Sequence, residues 1–190
     1  MAVQSNLKSM VLCLFITCLV CSALLAGVYA VTAGPIAETN ASILKASVNA
    51  VLPEGGELSE SHEIQVGGQP SEYYVSTKDG ETVAYAVKST TVGFGGPLTL
   101  MVGITADGIV YNTSVLSHSE TPGLGAKCNT DAKFMDQWKG LDPSQKTLAV
   151  TKDGGSIDAI TASTITSRAY TQAVKNALEA VKSLGGNDNE

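Results

Sequence analysis

A chain of 190 residues with net charge −6 has room for one domain and an anchor. It lacks the basic balance that nucleic acid asks for. Its four cysteines form no disulfide framework and show no zinc or haem spacing, since Cys13, Cys18 and Cys21 sit in an apolar stretch and Cys128 stands alone. No charged residue occurs from Ser9 to Ala37, and Met10 to Ala33 is mostly apolar. A bilayer core needs about 20 such residues, and a signal-peptide core is usually about 7–15. The stretch is therefore expected to be a retained transmembrane helix, with a cleaved signal ending near Val28-Tyr29-Ala30 as the alternative. Lys8 before the span and Glu38 after it favour a cytoplasmic N-terminus with the bulk of the chain outside.

Beyond the span, Ile43, Leu44, Val48, Val51 and Leu52 recur at helical spacing, so Glu38 to Leu52 is expected to be a linking helix, stopped by Pro53 and Gly55-Gly56. Glu54 to Gln69, rich in Gly, Glu and Ser, is expected to be a variable connection. Two β-rich runs flank Asp79-Gly80, and two more flank Asp107-Gly108. Each Asp-Gly is a strong hairpin signal, so the sheet is expected to be antiparallel. The loop Gly93-Phe94-Gly95-Gly96-Pro97 permits close backbone approach to a flat or bulky group, or is a plain loop. Asp131 to Trp138 is expected to be a short helix and Lys146 to Val150 a short strand. Ser163 to Leu184 is expected to be the longest helix, with Ile165, Ala169, Ala173, Ala177 and Val181 on one stripe and Tyr170, Val174 and Leu178 beside it. Gly185-Gly186 is expected to end it, and the tail to fray. The fold class is α+β: residues 1–36 as tail and anchor, 37–71 as linker helix and connection, 72–184 as one domain with helices packed on an antiparallel-rich sheet, and 185–190 as a tail.

Two segments carry the chemistry. In Asp158-Ala159-Ile160-Thr161-Ala162-Ser163-Thr164-Ile165-Thr166-Ser167, hydroxyls crowd the start of a long helix. A helix N-terminus offers unpaired N–H groups and positive dipole, which suits a phosphate. Thr161 or Ser163 is placed to cap the helix, Thr164 falls in its first turn, and Thr161, Ser163, Thr166 and Ser167 can donate hydroxyls. Arg168, one turn later, is the nearest cation along the chain. The plain alternative is capping alone. In Ser119-Glu120-Thr121-Pro122-Gly123-Leu124-Gly125-Ala126-Lys127, a Pro-Gly turn exposes backbone amides. Glu120, Lys127 and His118 lie beside it, each a ligand or an ordinary surface group. No paired carboxylates or triad are evident, and no metal site. No catalytic residue is assigned. His118 is the one candidate base for a hydrolytic reading through Ser163 or Ser167.

The pattern Asp158-x-x-Thr161-x-x-Thr164, followed by Thr166-Ser167, resembles the flavinylation motif of FMN-binding domains in ion-pumping redox complexes. The run Glu120-Thr121-Pro122-Gly123-Leu124-Gly125 resembles that family's second signature. Over nearly its whole length the chain is similar to the G subunits of Rnf-type complexes, and to the related C subunits of Na⁺-translocating NADH:quinone reductases. The resemblance implies FMN esterified through its phosphate to Thr164. It implies cofactor contacts from Thr161, Ser163, Thr166, Ser167, Glu120, Thr121, Gly123, Leu124 and Gly125, and transferase recognition at Asp158. It also implies an electron carrier among other subunits in a bacterial inner membrane, its FMN domain outside, matured by a flavin transferase and serving ferredoxin–NAD electron transfer coupled to Na⁺ or H⁺ movement. The family's Gly-Ala is here Ala162-Ser163, which adds a Cβ and a hydroxyl beside the acceptor. A secreted, cofactor-free binding module is the alternative from another class.

Overall fold

The computed structural model describes residues 7–185. The expected tail after Gly185 and the first six positions lie outside them. The chain falls into two units, Met1–Ile43 and Leu44–Glu190.

From Leu7 onward the backbone of the first unit is helical. It belongs to α1 (Leu7–Val51), 45 residues long with Pro35 inside it. This is the longest helix among the described residues, a place that sequence reading gave to the C-terminal one. The helix is long and apolar enough to cross a membrane. Its hydroxyls suit an apolar setting: Thr17, Thr32 and Thr39 donate back to the carbonyls of Cys13, Val28 and Pro35 at 2.8–2.9 Å. Each donor thus finds a partner without water. The linking helix expected from Glu38 is the continuation of α1, because Pro35 leaves the helix unbroken.

The second unit is built on an antiparallel sheet. Its strands are β1 (Glu57–Leu58), β2 (His62–Val66), β3 (Gln69–Lys78), β4 (Glu81–Val92), β5 (Pro97–Thr105) and β6 (Val110–His118). The order is β1-β3-β4-β5-β6, and β2 shares the β3 edge with β1. Asp79 and Gly80 have φ 54° and 85°, the left-handed pair that a two-residue hairpin turn requires. Two strands, β1 and β2, fall within the stretch expected to be a variable connection. They are short edge strands with mostly exposed side chains, so they lack the apolar alternation that announces a strand.

Side chains alternate along β4. Val87, Ser89 and Thr91 face α3 (Thr164–Gly185), while Ala84 and Ala86 face the last turns of α1. Ser89 and Thr91 donate to the α3 carbonyls of Ala173 and Ala169 at 2.8 and 2.9 Å. On that face Leu98, Leu100, Val102 and Ile104 of β5 form the main core with Tyr170, Ala173, Val174 and Ala177 of α3. On the other face Met101 packs with Val48, Val51 and Leu52. Gly103 is required here, because a Cβ would collide with the Val51 carbonyl. Asn112 Nδ2 caps the Ala50 carbonyl at 2.9 Å. The sheet is thus covered on both faces, and β5 is buried along most of its length.

After β6 the chain forms a 3-10 turn (Gly125–Asn129) and α2 (Ala132–Asp136), which is capped by Asp131. Phe134, Trp138 and Tyr170 form an aromatic cluster, Trp138 stacked on Tyr170 at 5.1 Å. The strand expected at Lys146–Val150 is reduced to one parallel bridge, Val150 to Ile157. A 3-10 turn (Thr151–Asp153) then leads toward α3. The apolar stripe of α3 is buried as expected, with one difference: Ile165 is half-exposed, because it turns to a cavity rather than to the sheet.

Candidate functional site

A cavity of about 330 Å³ lies at the N-terminus of α3, lined by Phe94, Glu120, Thr121, Leu124, Gly125 and residues 162–166. Such a volume falls in the usual range for small-molecule sites, about 300–1,000 Å³. Both signature segments reach it, although they are far apart in sequence, and the Gly93–Pro97 loop closes one side.

Glu120 is the organising residue. It is 6% exposed. One carboxylate oxygen accepts from the backbone N–H of Phe94 at 2.8 Å and, more weakly, of Gly95 at 3.4 Å. The other accepts from the Thr166 hydroxyl at 2.8 Å. The N–H of Glu120 donates to His118 Nδ1 at 3.3 Å. A buried charge needs such partners. Gly125 lies against this pair, and a Cβ there would collide with the Glu120 carboxylate. Glu120 also acts at a distance: burial first, and then its negative charge, push the Cys128 thiol up to about 11.

The helix start is locked from beneath. Ser167 is fully buried. Its hydroxyl donates to the Ser163 carbonyl at 3.0 Å and accepts from the Ile160 N–H at 2.9 Å. Ala162, between them, has φ 60°, left-handed backbone that favours glycine. Here lies the physical content of the Ala162 substitution noted in the sequence. Asp158 has its backbone held at both ends by the Gln137 amide, at 2.9 and 3.1 Å, and is itself exposed.

Thr164 is half-buried on the cavity wall. Its Oγ1 accepts from Lys152 Nζ at 3.2 Å. Sequence reading missed this lysine, which the Thr151–Asp153 turn brings in from twelve residues upstream. The available signal was Asp153-Gly154-Gly155, a turn able to fold Lys152 back on the helix start. Arg168, expected to be the nearby cation, is engaged elsewhere: its Nε and Nη2 bind Asp153 at 2.7 and 2.6 Å. These bonds hold the Asp153 carboxyl below its usual range.

The cavity gathers Glu120, Thr121, Leu124, Gly125, Ser163, Thr164 and Thr166 from the expected set. Thr161, Gly123 and Ser167 are not on its wall. Thr161 and Gly123 are exposed beside it, and the Ser167 hydroxyl is spent on the turn. Ser163 does not cap the helix as expected. It is 7% exposed, lines the cavity, and its Oγ has no hydrogen-bond partner. A buried hydroxyl left unpaired costs about 1–3 kcal/mol, a local cost stored beside the Thr164 hydroxyl. Phe94, Leu124 and Ile165 add half-exposed or exposed apolar surface. Apolar side chains and hydroxyls line the cavity at a helix N-terminus, and the Lys152 ammonium reaches Thr164 beside it; such a set can receive a small molecule with an apolar part and an anionic part. Among the described residues no cluster suits a metal ion.

The fold and cavity define a membrane-helix protein bearing a ligand-binding α+β domain, and the FMN-binding domain family matches residues 93–179. A relative in Clostridium ljungdahlii, the G subunit of a proton-translocating ferredoxin:NAD(+) oxidoreductase complex, is 33% identical over 96% of each chain. A second, in Acetobacterium woodii, is the G subunit of a Na(+)-translocating ferredoxin:NAD(+) oxidoreductase complex, 33% identical over 91% of this chain and 90% of its own. The crystal structure of Shewanella oneidensis NqrC shares the fold, with TM-score 0.50 and 20% identity over 72% of this chain and 70% of that one. The chain belongs to the family of G subunits of ion-translocating ferredoxin:NAD(+) oxidoreductase complexes.

Proposed function

We propose that this chain is a covalently flavinylated electron carrier, with FMN esterified through its phosphate to Thr164 Oγ1, in a membrane-bound Rnf-type complex. The observation that carries the reading is one juxtaposition. Thr164 stands on the cavity wall at the first turn of α3, and its hydroxyl oxygen accepts from the Lys152 ammonium at 3.2 Å. The first N–H groups of a helix lack intrahelical partners and favour an anion. Phe94, Leu124 and Ile165 would wall the ring, and Glu120 would hold the Phe94 loop against it. FMN supplies one- and two-electron redox chemistry when bound. The protein's part is to hold the cofactor, shield one side of it and leave an edge open.

Attachment is a phosphoryl transfer without redox change. An O–P bond forms at Thr164 Oγ1, the hydroxyl proton is released, and a phosphoanhydride bond in an activated flavin donor breaks. A flavin transferase would serve this step, reading the exposed Asp158. A domain on the outer side of the membrane cannot draw on a cytoplasmic cofactor pool, and the ester prevents loss. The charge pattern around the span favours that side for the domain and the cytoplasm for the N-terminus. Intact mass and peptide mapping of chain produced with a flavin transferase test the attachment. The expected result is a gain of FMN minus water on the Thr164 peptide, absent in Thr164→Val. A gain that persists in Thr164→Val would move the ester elsewhere, to Ser163 first.

A further inference from the structure

Lys152 is assigned to the site by no motif, yet its ammonium touches the acceptor oxygen at 3.2 Å. Its position is not left to a flexible side chain alone. The next residue, Asp153, is gripped in two-pronged fashion by Arg168, which stands on α3 one turn beyond Thr164. Two-pronged guanidinium–carboxylate pairs fix geometry as well as charge. The 3-10 turn carrying Lys152 is thereby tied to the helix that carries the acceptor. It is held again through Gly155, whose N–H donates to the Val150 carbonyl at 3.1 Å. A Cβ at Gly155 would collide with Ala149. Ser163, the residue before the acceptor, lines the same cavity and has a buried Oγ without a hydrogen-bond partner.

We propose that Lys152 is the counter-cation of the phosphate carried on Thr164, and that the Asp153–Arg168 pair is the brace that aims it. The proposal rests on the reading of Thr164 as the attachment point. Before attachment Lys152 orients the Thr164 hydroxyl by donating to its oxygen. Afterwards the ammonium faces the phosphodiester charge, beside the N-terminal dipole of α3. Arg168 does not take this role, because its guanidinium is committed to Asp153.

The test uses the full-length chain incubated with a flavin transferase and its flavin donor, as wild type, Lys152→Met, Lys152→Arg and Thr164→Val. Attachment is followed by intact mass, and the loaded proteins are compared by phosphorus-31 NMR. Lys152→Met is expected to load about tenfold more slowly, for want of one charge-assisted hydrogen bond. Its phosphorus resonance is expected to shift, and Lys152→Arg is expected to restore rate and resonance. Lys152 is exposed, so the melting temperature of the unloaded variant should not move. Loading and resonance unchanged in Lys152→Met would overturn the proposal while leaving Thr164 as acceptor. Slower loading with an unchanged resonance would overturn it too, since the lysine would then serve transferase recognition. A wild type that gains no mass would overturn the attachment reading itself, and Lys152 with it.

Discussion

At Ala162 an L-residue occupies φ 60° beside the acceptor. Left-handed backbone costs a residue with a Cβ about 1–2 kcal/mol, partly offset by the extra chain entropy that glycine loses on folding. Ala162→Gly is expected to raise the stability of the unloaded protein by about 1 kcal/mol, read as a higher urea midpoint with unchanged m-value. A lower midpoint would show that the Ala162 methyl packs against something worth more than the strain. Cys128 gives a pH signature. Burial holds its thiol at about 11, against 9.0 for an ordinary thiol. The folded state keeps a proton that the unfolded chain gives up, so the stabilisation is full below about pH 9 and is lost as pH rises through about 11. Wild type is therefore expected to lose stability relative to Cys128→Ala over that window, and thiol reagents should leave native Cys128 untouched at pH 8. Equal alkaline slopes would refute the assignment.

At the level of elements, β5 is the pillar of the domain, and its fit to α1 depends on Gly103. Gly103→Ala drives a methyl into the Val51 backbone, and overpacking of this kind costs about 1–3 kcal/mol. The expected result is a drop of that size in unfolding free energy, with faster amide exchange at Val51 and Leu52. The loop carrying Phe94 hangs on one carboxylate. Glu120→Ala should release it, seen as loss of exchange protection at the Phe94 amide while the β3–β4 hairpin stays protected. Protection retained at Phe94 would place its anchor elsewhere. The hairpins were legible beforehand because each Asp-Gly marks a turn: Asp79-Gly80 forms a two-residue turn, and Asp107-Gly108 lies in the four-residue connection between β5 and β6. β1 and β2 were not, since edge strands with polar faces borrow their definition from β3. The same contrast holds in the site. Thr164, Glu120 and Leu124 sit in local signatures that reveal them. Lys152 and Arg168 could be sorted only by tertiary contact: proximity along the helix suggested Arg168, but Asp153 captures it and leaves Lys152 to the hydroxyl.

For the whole molecule, the apolar helix and the domain make separate demands. The charge-free span should keep the full chain in the membrane fraction after alkaline carbonate washing, with the domain cleaved by protease added to intact spheroplasts. Protection from external protease would reverse the proposed orientation. The choice of transported ion is not written in overall similarity. The proton-named and sodium-named relatives are equally alike, at 33% identity.

Glu120 joins three stretches of chain: the Phe94 loop, the Thr121–Gly125 turn that follows it, and the first turn of α3 through Thr166. A junction with a shared partner makes its branches energetically dependent on one another. Whatever seats against Thr164 therefore has its effect passed, through two hydrogen bonds and one side chain, to the opposite wall. In a double-mutant cycle, changes at Thr166 and at the Phe94 loop should fail to add, and should add once Glu120 is removed. The two walls are then expected to respond as one jaw with a single pivot, with occupancy at the helix end readable at Phe94.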